Sequence, residues 1–287
     1  MKKFIVTTAL LFGAISFAQE LKVNACGVTR VAFMQELNDA FSKKYNTSVN
    51  MGAKKGDSFV IKSVSKKEVD LGTGCREAIE DISDEKDVES IQIAWGALAF
   101  IVNPKNSVES LKTEQIKDIL LGKITNWKEV GGADAKINLL VRDVINGGVP
   151  TSAKEILFKN RDTPFYSKAT KVKNSYKLRD MVTKDINTFA IDNTISASKR
   201  DDIKMLKVDG VAPTKANILS NKYKMRQALY IYLLKNPSKL ASKYAKFTLS
   251  KEGQAVISKT GTANLAEASG KDDEDNYMIQ NLLMDLQ

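Results

Sequence analysis

Histidine is absent from all 287 residues, and cysteine occurs only twice, at Cys26 and Cys75. The absence of histidine excludes Ser-His-Asp triads, histidine acid–base catalysis and histidine metal ligation. Two thiols alone cannot form a closed four-ligand zinc site, and their wide spacing is unlike the Cys-x-x-Cys motif of thiol redox enzymes. We therefore expect a protein that is not an enzyme and that carries no cofactor or metal.

Long apolar runs are also scarce. The only extended one covers residues 4–17, which is short of the roughly 20 residues that span a bilayer. It follows Lys2 and Lys3 and precedes the small residues Ser16 and Ala18, which is the pattern of a secretory signal peptide. We predict cleavage near Ala18, export, and a soluble mature chain long enough for one large or two modest domains.

Acidic residues are outnumbered: 34 Asp and Glu stand against 44 Lys and Arg, for a net charge of +10. Such a balance attracts anions. The lysines are scattered, and no nucleic-acid recognition motif with interleaved aromatic residues occurs. A small anion is therefore a better candidate partner than nucleic acid, although an ordinary solvated surface would explain the charge as well.

Three strand–loop–helix units carry the polar and glycine-rich turns of the chain. The first unit is a strand at 21–25 that leads to Thr29, which is placed to cap a helix. The second is a strand at 69–71 followed by Gly72 to Arg76. The third is a strand at 137–141 followed by Arg142 and by a glycine turn before Pro150. This alternation predicts an α/β fold with mainly parallel sheets. Ligands of such sheets bind beyond the carboxyl ends of the strands.

The rest of the chain predicts several further elements. We expect a buried strand at 97–102, a helix at 111–122 capped by Thr113 and stopped by Gly122, a strand at 203–208, and helices at 221–235 and 238–259. The acidic tail at 267–287 ends in an apolar set of residues. A frayed terminal helix and a partner-binding helix both fit that tail.

The segment LKTEQIKDILLGKITNWKEVGG at 111–132 closely resembles the signature of phosphate-binding proteins that serve ABC transporters, and FTLSKEGQAVISKTG from Phe247 adds to the likeness. The resemblance spans about residues 21–262. It implies a type II periplasmic binding protein, in which an oxyanion sits between two α/β lobes and passes to an inner-membrane ABC permease. The expected product is a periplasmic monomer, with lobe 1 at 19–98 plus 206–266, lobe 2 at 99–205, and hinge crossings near 96–102 and 205–208.

The resemblance also implies which loops hold the ligand. The expected contacts are Gly27, Val28, Thr29, Ser58, Cys75, Arg76, Arg142, Asn146, Gly147 and Gly148. Arg76 and Arg142 retain the positive charge that grips an oxyanion. Val28, Cys75, Asn146 and Gly148 stand where the family places hydroxyl donors or their neighbours. Phosphate or a related oxyanion is thus the first hypothesis, and a diverged sensory or structural protein, or one with a softer ligand, is the alternative.

The two cysteines fall in these ligand-facing loops. In an oxidising compartment an even cysteine count favours a disulfide, in this chain Cys26 with Cys75. The alternatives are contact with a soft ligand or a soft metal such as Cu(I), and inert free thiols.

Overall fold

The computed structural model describes residues 20–142 and 144–268. The predicted signal peptide and nearly all of the acidic tail lie outside the described residues. The strands are β1 (Glu20–Ala25), β2 (Ser48–Met51), β3 (Leu71–Gly74), β4 (Val88–Val102), β5 (Ser110–Leu111), β6 (Asn138–Arg142), β7 (Thr170–Val172), β8 (Thr188–Asn193), β9 (Lys204–Met205), β10 (Lys207–Val208), β11 (Arg226–Leu234) and β12 (Ala263–Asn264).

The helices lie between these strands and at the end of the described chain. They are α1 (Gly27–Thr29), α2 (Gln35–Tyr45), α3 (Asp57–Ser65), α4 (Thr113–Leu121), α5 (Gly148–Phe158), α6 (Ser175–Lys184), α7 (Thr194–Ala197), α8 (Lys215–Leu219), α9 (Lys239–Leu249), α10 (Lys251–Lys259) and α11 (Leu265–Ala268), with a π-helical segment at Arg30–Met34 and a 3-10 turn at Trp127–Val130.

One large sheet organises the molecule, in the order β2-β1-β3-β11-β4-β8-β6-β7, with β9 and β12 added on β4. Strand β4 is shared by two halves, because residues 88–97 pair with β11 and residues 98–102 pair with β8. We call the strands on the β11 side the first half-sheet and those on the β8 side the second half-sheet. The α/β prediction is confirmed, but the sheet is mixed: β1 and β6 pair in parallel with their neighbours, whereas β4 and β11 run antiparallel to theirs.

The core is apolar on both sides of this sheet. Helices α2 and α9 meet through an aromatic cluster in which the Phe41 ring lies 4.8 Å from that of Tyr244 and 5.6 Å from that of Phe247. In the second half-sheet, Trp127 packs edge-on against Phe189 and donates its indole N–H to the Asn187 carbonyl at 3.0 Å. Aromatic pairs of this kind add about 0.5–1.5 kcal/mol each to the stabilisation from buried area.

The segment that carries the family resemblance forms α4 and the turn after it. Gly122 ends the helix with φ of 75°, a left-handed conformation that glycine adopts without strain. The predicted cap is off by one residue: Lys112 is the N-cap, while Thr113 begins the helix and donates its hydroxyl to Asp209 at 2.6 Å.

The predicted helix at 221–235 is wrong, because residues Arg226–Leu234 form β11 at the centre of the sheet. Its apolar residues include Tyr230, Ile231 and Tyr232, types that favour strands. A strand buried on both faces is rich in apolar residues at every position, so the periodicity does not separate it from a buried helix.

Two other boundaries differ from prediction. The helix expected at 238–259 is split at Ser250, which caps α10 by accepting the Gly253 N–H. At Gly253 a Cβ would lie 2.1 Å from the Phe247 carbonyl oxygen, so the close approach of α9 and α10 requires glycine there. The strand expected at 203–208 is interrupted at Leu206, because β9 pairs with β4 and β10 pairs with β5.

Within the part of the chain that is described, no helix combines the length and apolarity needed to cross a bilayer.

Candidate functional site

Four chain segments converge where the two half-sheets meet. Cys26 follows β1, Asp57 begins α3, Cys75 follows β3, and Gly148 begins α5 from the second half-sheet. A Cβ on Gly148 would lie 2.3 Å from Asp57 Oδ2 and 2.4 Å from Cys75 Sγ, so only glycine allows this approach. The carboxyl ends of β1 and β3 therefore meet the start of a helix from the opposite half, as expected for a ligand site in an α/β sheet.

A cavity of about 360 Å³ opens beside this junction. The first half-sheet contributes Gly27, Val28 and Cys75 to its wall, and the second contributes Arg142. These four residues were expected at the ligand, and the structure brings them together. Val28 gives this wall an apolar patch where the family would supply a hydroxyl.

The charged side chains around the cavity are mostly basic, and sequence reasoning missed all but one of them. They are Lys54, Lys55, Arg142, Lys173 and Arg179, with Asp57 as the single acid among the described lining residues. Side chains of one charge sign that converge on a cavity raise the local concentration of anions. No motif marks these positions, because they are scattered along the chain and become neighbours only in the fold.

Arg142 is a basic group of the cavity wall that retains free hydrogen-bonding capacity. It ends β6, and its Nη1 donates to Ser175 Oγ at 3.0 Å. Its Nε is buried and has no partner among the described residues. An unsatisfied buried donor is costly, typically by about 1–3 kcal/mol, and a ligand oxygen would satisfy it.

Arg179, in contrast, is already neutralised. Its Nη1 lies 2.6 Å from Asp192 Oδ2, and both side chains are buried. Burial raises the pKa of Asp192, and the neighbouring Arg179 opposes that shift. Arg179 therefore forms part of the cavity wall, and Asp192 already balances its charge.

Arg76 is placed differently from the expectation that it grips the ligand. It is absent from the cavity wall, and its Nη1 and Nη2 bind the two carboxylate oxygens of Glu85 at 2.8 and 2.6 Å. Both side chains are almost fully buried, with exposures of 1% and 3%. Its Nε donates to the Asn146 carbonyl at 2.7 Å. The guanidinium is thus occupied by protein groups, and this placement corrects the expected role.

Ser58, Asn146 and Gly147 join Arg76 behind the cavity wall. The Ser58 hydroxyl donates to the Asn146 carbonyl at 2.8 Å. Asn146 has φ of 53°, and Gly147 is the N-cap of α5. These contacts tie α3 and β3 to the loop that starts α5, so the group links the two halves of the sheet.

Thr29 also lies behind the wall, fully buried. It sits inside α1 and does not cap the helix, since Cys26 is the N-cap and makes no side-chain capping bond. The Thr29 hydroxyl is 2.8 Å from Thr73 Oγ1 and 3.6 Å from Cys26 Sγ. Its predicted donation to a ligand is therefore replaced by contacts within the first half-sheet.

The cysteines are both buried free thiols, so the predicted disulfide is absent from this structure. Their Sγ atoms and a carboxylate oxygen of Asp57 all lie within 4.8 Å of one another. The hydrogen bond with Cys26, burial and the nearby Asp57 charge raise the pKa of Cys75 well above its ordinary value. These surroundings disfavour the thiolate of Cys75, and disulfide formation between these neighbours remains a prediction.

Comparison with known proteins agrees with this architecture. A PBP superfamily domain matches residues 29–252. The chain belongs to the PBP superfamily. Among the relatives of this chain, a phosphate-binding protein PstS from Borreliella burgdorferi is 28% identical over 268 residues, which cover 90% of this chain and 95% of that protein.

Solved structures of other proteins show the same fold. A Clostridium perfringens protein described as a phosphate ABC transporter substrate-binding protein, determined with bound phosphate, superposes with a TM-score of 0.72 at 27% identity and covers 85% of this chain and 99% of that one. An ABC-type phosphate transport receptor from Vibrio cholerae reaches a TM-score of 0.68 at 21% identity, covering 86% of this chain and 100% of that one. The two-lobed type II periplasmic binding fold expected from the sequence is thereby confirmed.

Proposed function

We propose that this chain is an exported solute-binding protein that holds phosphate or a related oxyanion in the cavity between its two half-sheets and delivers it to an ABC permease. The observation that carries the proposal is the ring of basic side chains around a cavity whose Arg142 has an unsatisfied buried donor. The relatives described as phosphate-binding proteins support the choice of anion. They also support a role in binding without catalysis.

Two lobes that close over the ligand are part of this proposal. β4 leaves the first half-sheet and enters the second between residues 97 and 98, inside the expected crossing at 96–102. The chain returns after β10 toward β11, near the second expected crossing. We therefore retain 19–98 plus 206–266 and 99–205 as the two lobes, with hinge closure as the binding motion.

The experiment is calorimetric titration of the mature, metal-free chain with phosphate, sulfate, thiosulfate, molybdate and a phosphonate. We expect one anion per chain, with phosphate among those bound. A weaker affinity than usual for such sites is expected because Val28 and Cys75 cannot donate as hydroxyls do. Absence of heat and of any thermal shift with every anion would reject the proposal.

Closure should depend on a contact across the cavity. Lys54 Nζ donates to Tyr176 Oη at 2.6 Å, joining the loop before α3 to the first turn of α6. Because a single hydrogen bond contributes about 0.5–1.5 kcal/mol net, Tyr176→Phe should weaken anion binding roughly 2- to 10-fold by favouring the open form. Titration calorimetry measures this, with Tyr45→Phe, far from the cavity, as the matched control. Equal affinity in both variants would show that the contact does not contribute to closure.

A further inference from the structure

The floor of the cavity holds a cluster of three metal-ligating side chains that the oxyanion site does not require. Cys26, Asp57 and Cys75 are each buried, and one ligand atom from each lies within 4.8 Å of the other two. The Cys75 Sγ to Asp57 Oδ2 distance is 3.8 Å. No other group of three such residues close enough to share an ion occurs among residues 20–142 and 144–268.

The spacing fits a zinc-type ion. Bond lengths of about 2.3 Å to sulfur and 2.0 Å to a carboxylate oxygen put tetrahedral ligand atoms about 3.5–3.8 Å apart. The Cys75 Sγ to Asp57 Oδ2 distance of 3.8 Å is about 0.3 Å longer than the sulfur–oxygen value at the lower end of this range, and small side-chain rotations would close that difference and bring in Cys26 Sγ. The carboxylate favours a divalent ion of the zinc class over Cu(I), which prefers soft sulfur ligands alone.

Hydrogen bonds from neighbouring groups hold the proposed ligand side chains in place, as the groups around a metal site commonly do. Asp57 Oδ1 accepts the Cys75 N–H at 2.6 Å and the Tyr232 hydroxyl at 3.3 Å, which leaves Oδ2 toward the thiols. Thr29 Oγ1 lies 3.6 Å from Cys26 Sγ and can donate to a thiolate there. Partners of this kind fix ligand orientation and tune metal affinity.

The charges around the cluster of Cys26, Asp57 and Cys75 are also compatible with a bound divalent cation. Two thiolates and one carboxylate with a divalent cation leave a single negative charge, which the start of α5 at Gly148 and the nearby Arg142 would offset. All three ligands line the cavity, so a fourth coordination position faces it. A three-ligand site with one open position differs from the closed four-ligand site that the cysteine count excludes.

We propose that Cys26, Asp57 and Cys75 bind one zinc-class divalent cation at the floor of the cavity. Arg142 is not one of the three proposed ligands, so the metal site and the proposed oxyanion function can be tested separately. Because a metal displaces the thiol protons, its affinity should rise with pH.

The test uses the full mature chain, reduced and stripped with a chelator, then held in oxygen-free buffer without reductant. Zinc content after desalting and competition with a chromogenic chelator give stoichiometry and affinity, and Co²⁺ serves as the optical probe. We expect one zinc per chain and thiolate-to-cobalt charge-transfer absorption. Cobalt bound without that absorption would overturn the proposal, as would zinc-loaded thiols that react with an added aromatic disulfide reagent as fast as those of the metal-free chain.

Variants locate the site. Cys26→Ser, Cys75→Ser and Asp57→Asn should each weaken zinc binding by more than about 100-fold, while Thr29→Val should cost about 10-fold as an outer-shell change. Asp57→Asn keeps the acceptor for the Cys75 N–H, so thermal unfolding should still show a folded chain. Asp39→Asn, an exposed carboxylate, is the control. Unchanged affinity in Cys75→Ser would refute the site, and a phosphate titration of the same samples reports separately on the proposed oxyanion function.

Discussion

Arg76→Ala is expected to lower the free energy of unfolding by about 3–5 kcal/mol, the usual cost of leaving one partner of a buried ion pair uncompensated. Glu85, which is only 3% exposed, would lose both of its hydrogen bonds to the guanidinium. The bond from Arg76 Nε to the Asn146 carbonyl would be lost as well. Denaturant unfolding monitored by circular dichroism measures the change.

Two comparisons separate this effect from the loss of a surface charge. Arg161→Ala breaks an exposed pair with Asp81 and should cost less than about 1 kcal/mol. The double change Arg76→Met with Glu85→Met removes both charges and should recover much of the stability lost in Arg76→Ala. If the Arg76→Ala protein instead keeps its stability and no longer binds phosphate, Arg76 contacts the ligand as expected from the sequence.

The amino-acid sequence predicts where the strands end better than it predicts the direction of the side chains that follow them. The loops after β1, β3 and β6 do meet at one cavity. β1 and β3 are neighbours whose carboxyl ends lie at one edge of the sheet, whereas β6 reaches the cavity from the other half-sheet. The direction of a side chain depends on partners elsewhere in the chain. Arg76 turns toward Glu85, an acid in an irregular stretch between β3 and β4 that no motif distinguishes.

Residues outside recognisable motifs explain the other omissions. Asp57 directly follows Gly56 at the start of α3, where an acid is a common helix-start residue with no implied function. Lys54 and Tyr176 lie 122 residues apart and meet only because the half-sheets face each other. Local patterns report helix faces and strand ends, whereas these contacts follow from tertiary packing.

Secondary structure was predicted well for several elements that carry or precede the ligand-facing loops and the family resemblance. β1, α4 and β6 follow the expected spans within one or two residues. β11 was misassigned because it is central in the sheet and apolar on both faces, which erases the alternation that identifies a strand. Its neighbours β3 and β4, which determine its conformation, are more than 120 residues earlier in the chain.

Arg142→Gln should weaken binding of the preferred oxyanion by about 100-fold or more. A guanidinium donates two charge-assisted hydrogen bonds to one oxyanion, each contributing about 1.5–3 kcal/mol, and every 1.4 kcal/mol corresponds to about tenfold in affinity. The Ser175 contact occupies only one of its nitrogens, so the others remain for a ligand. Titration calorimetry with phosphate measures the loss.

Two further variants test whether the effect comes from geometry or from net charge. Arg200→Gln removes the same charge from an arginine that is ion-paired with Asp180 and Asp202 and does not line the cavity, so its affinity should stay within about twofold of the parent. Arg142→Lys keeps the charge but loses the planar fork and should bind about tenfold more weakly. Equal losses in Arg142→Gln and Arg200→Gln would mean that the basic surface as a whole attracts the anion and that Arg142 makes no specific contact with it.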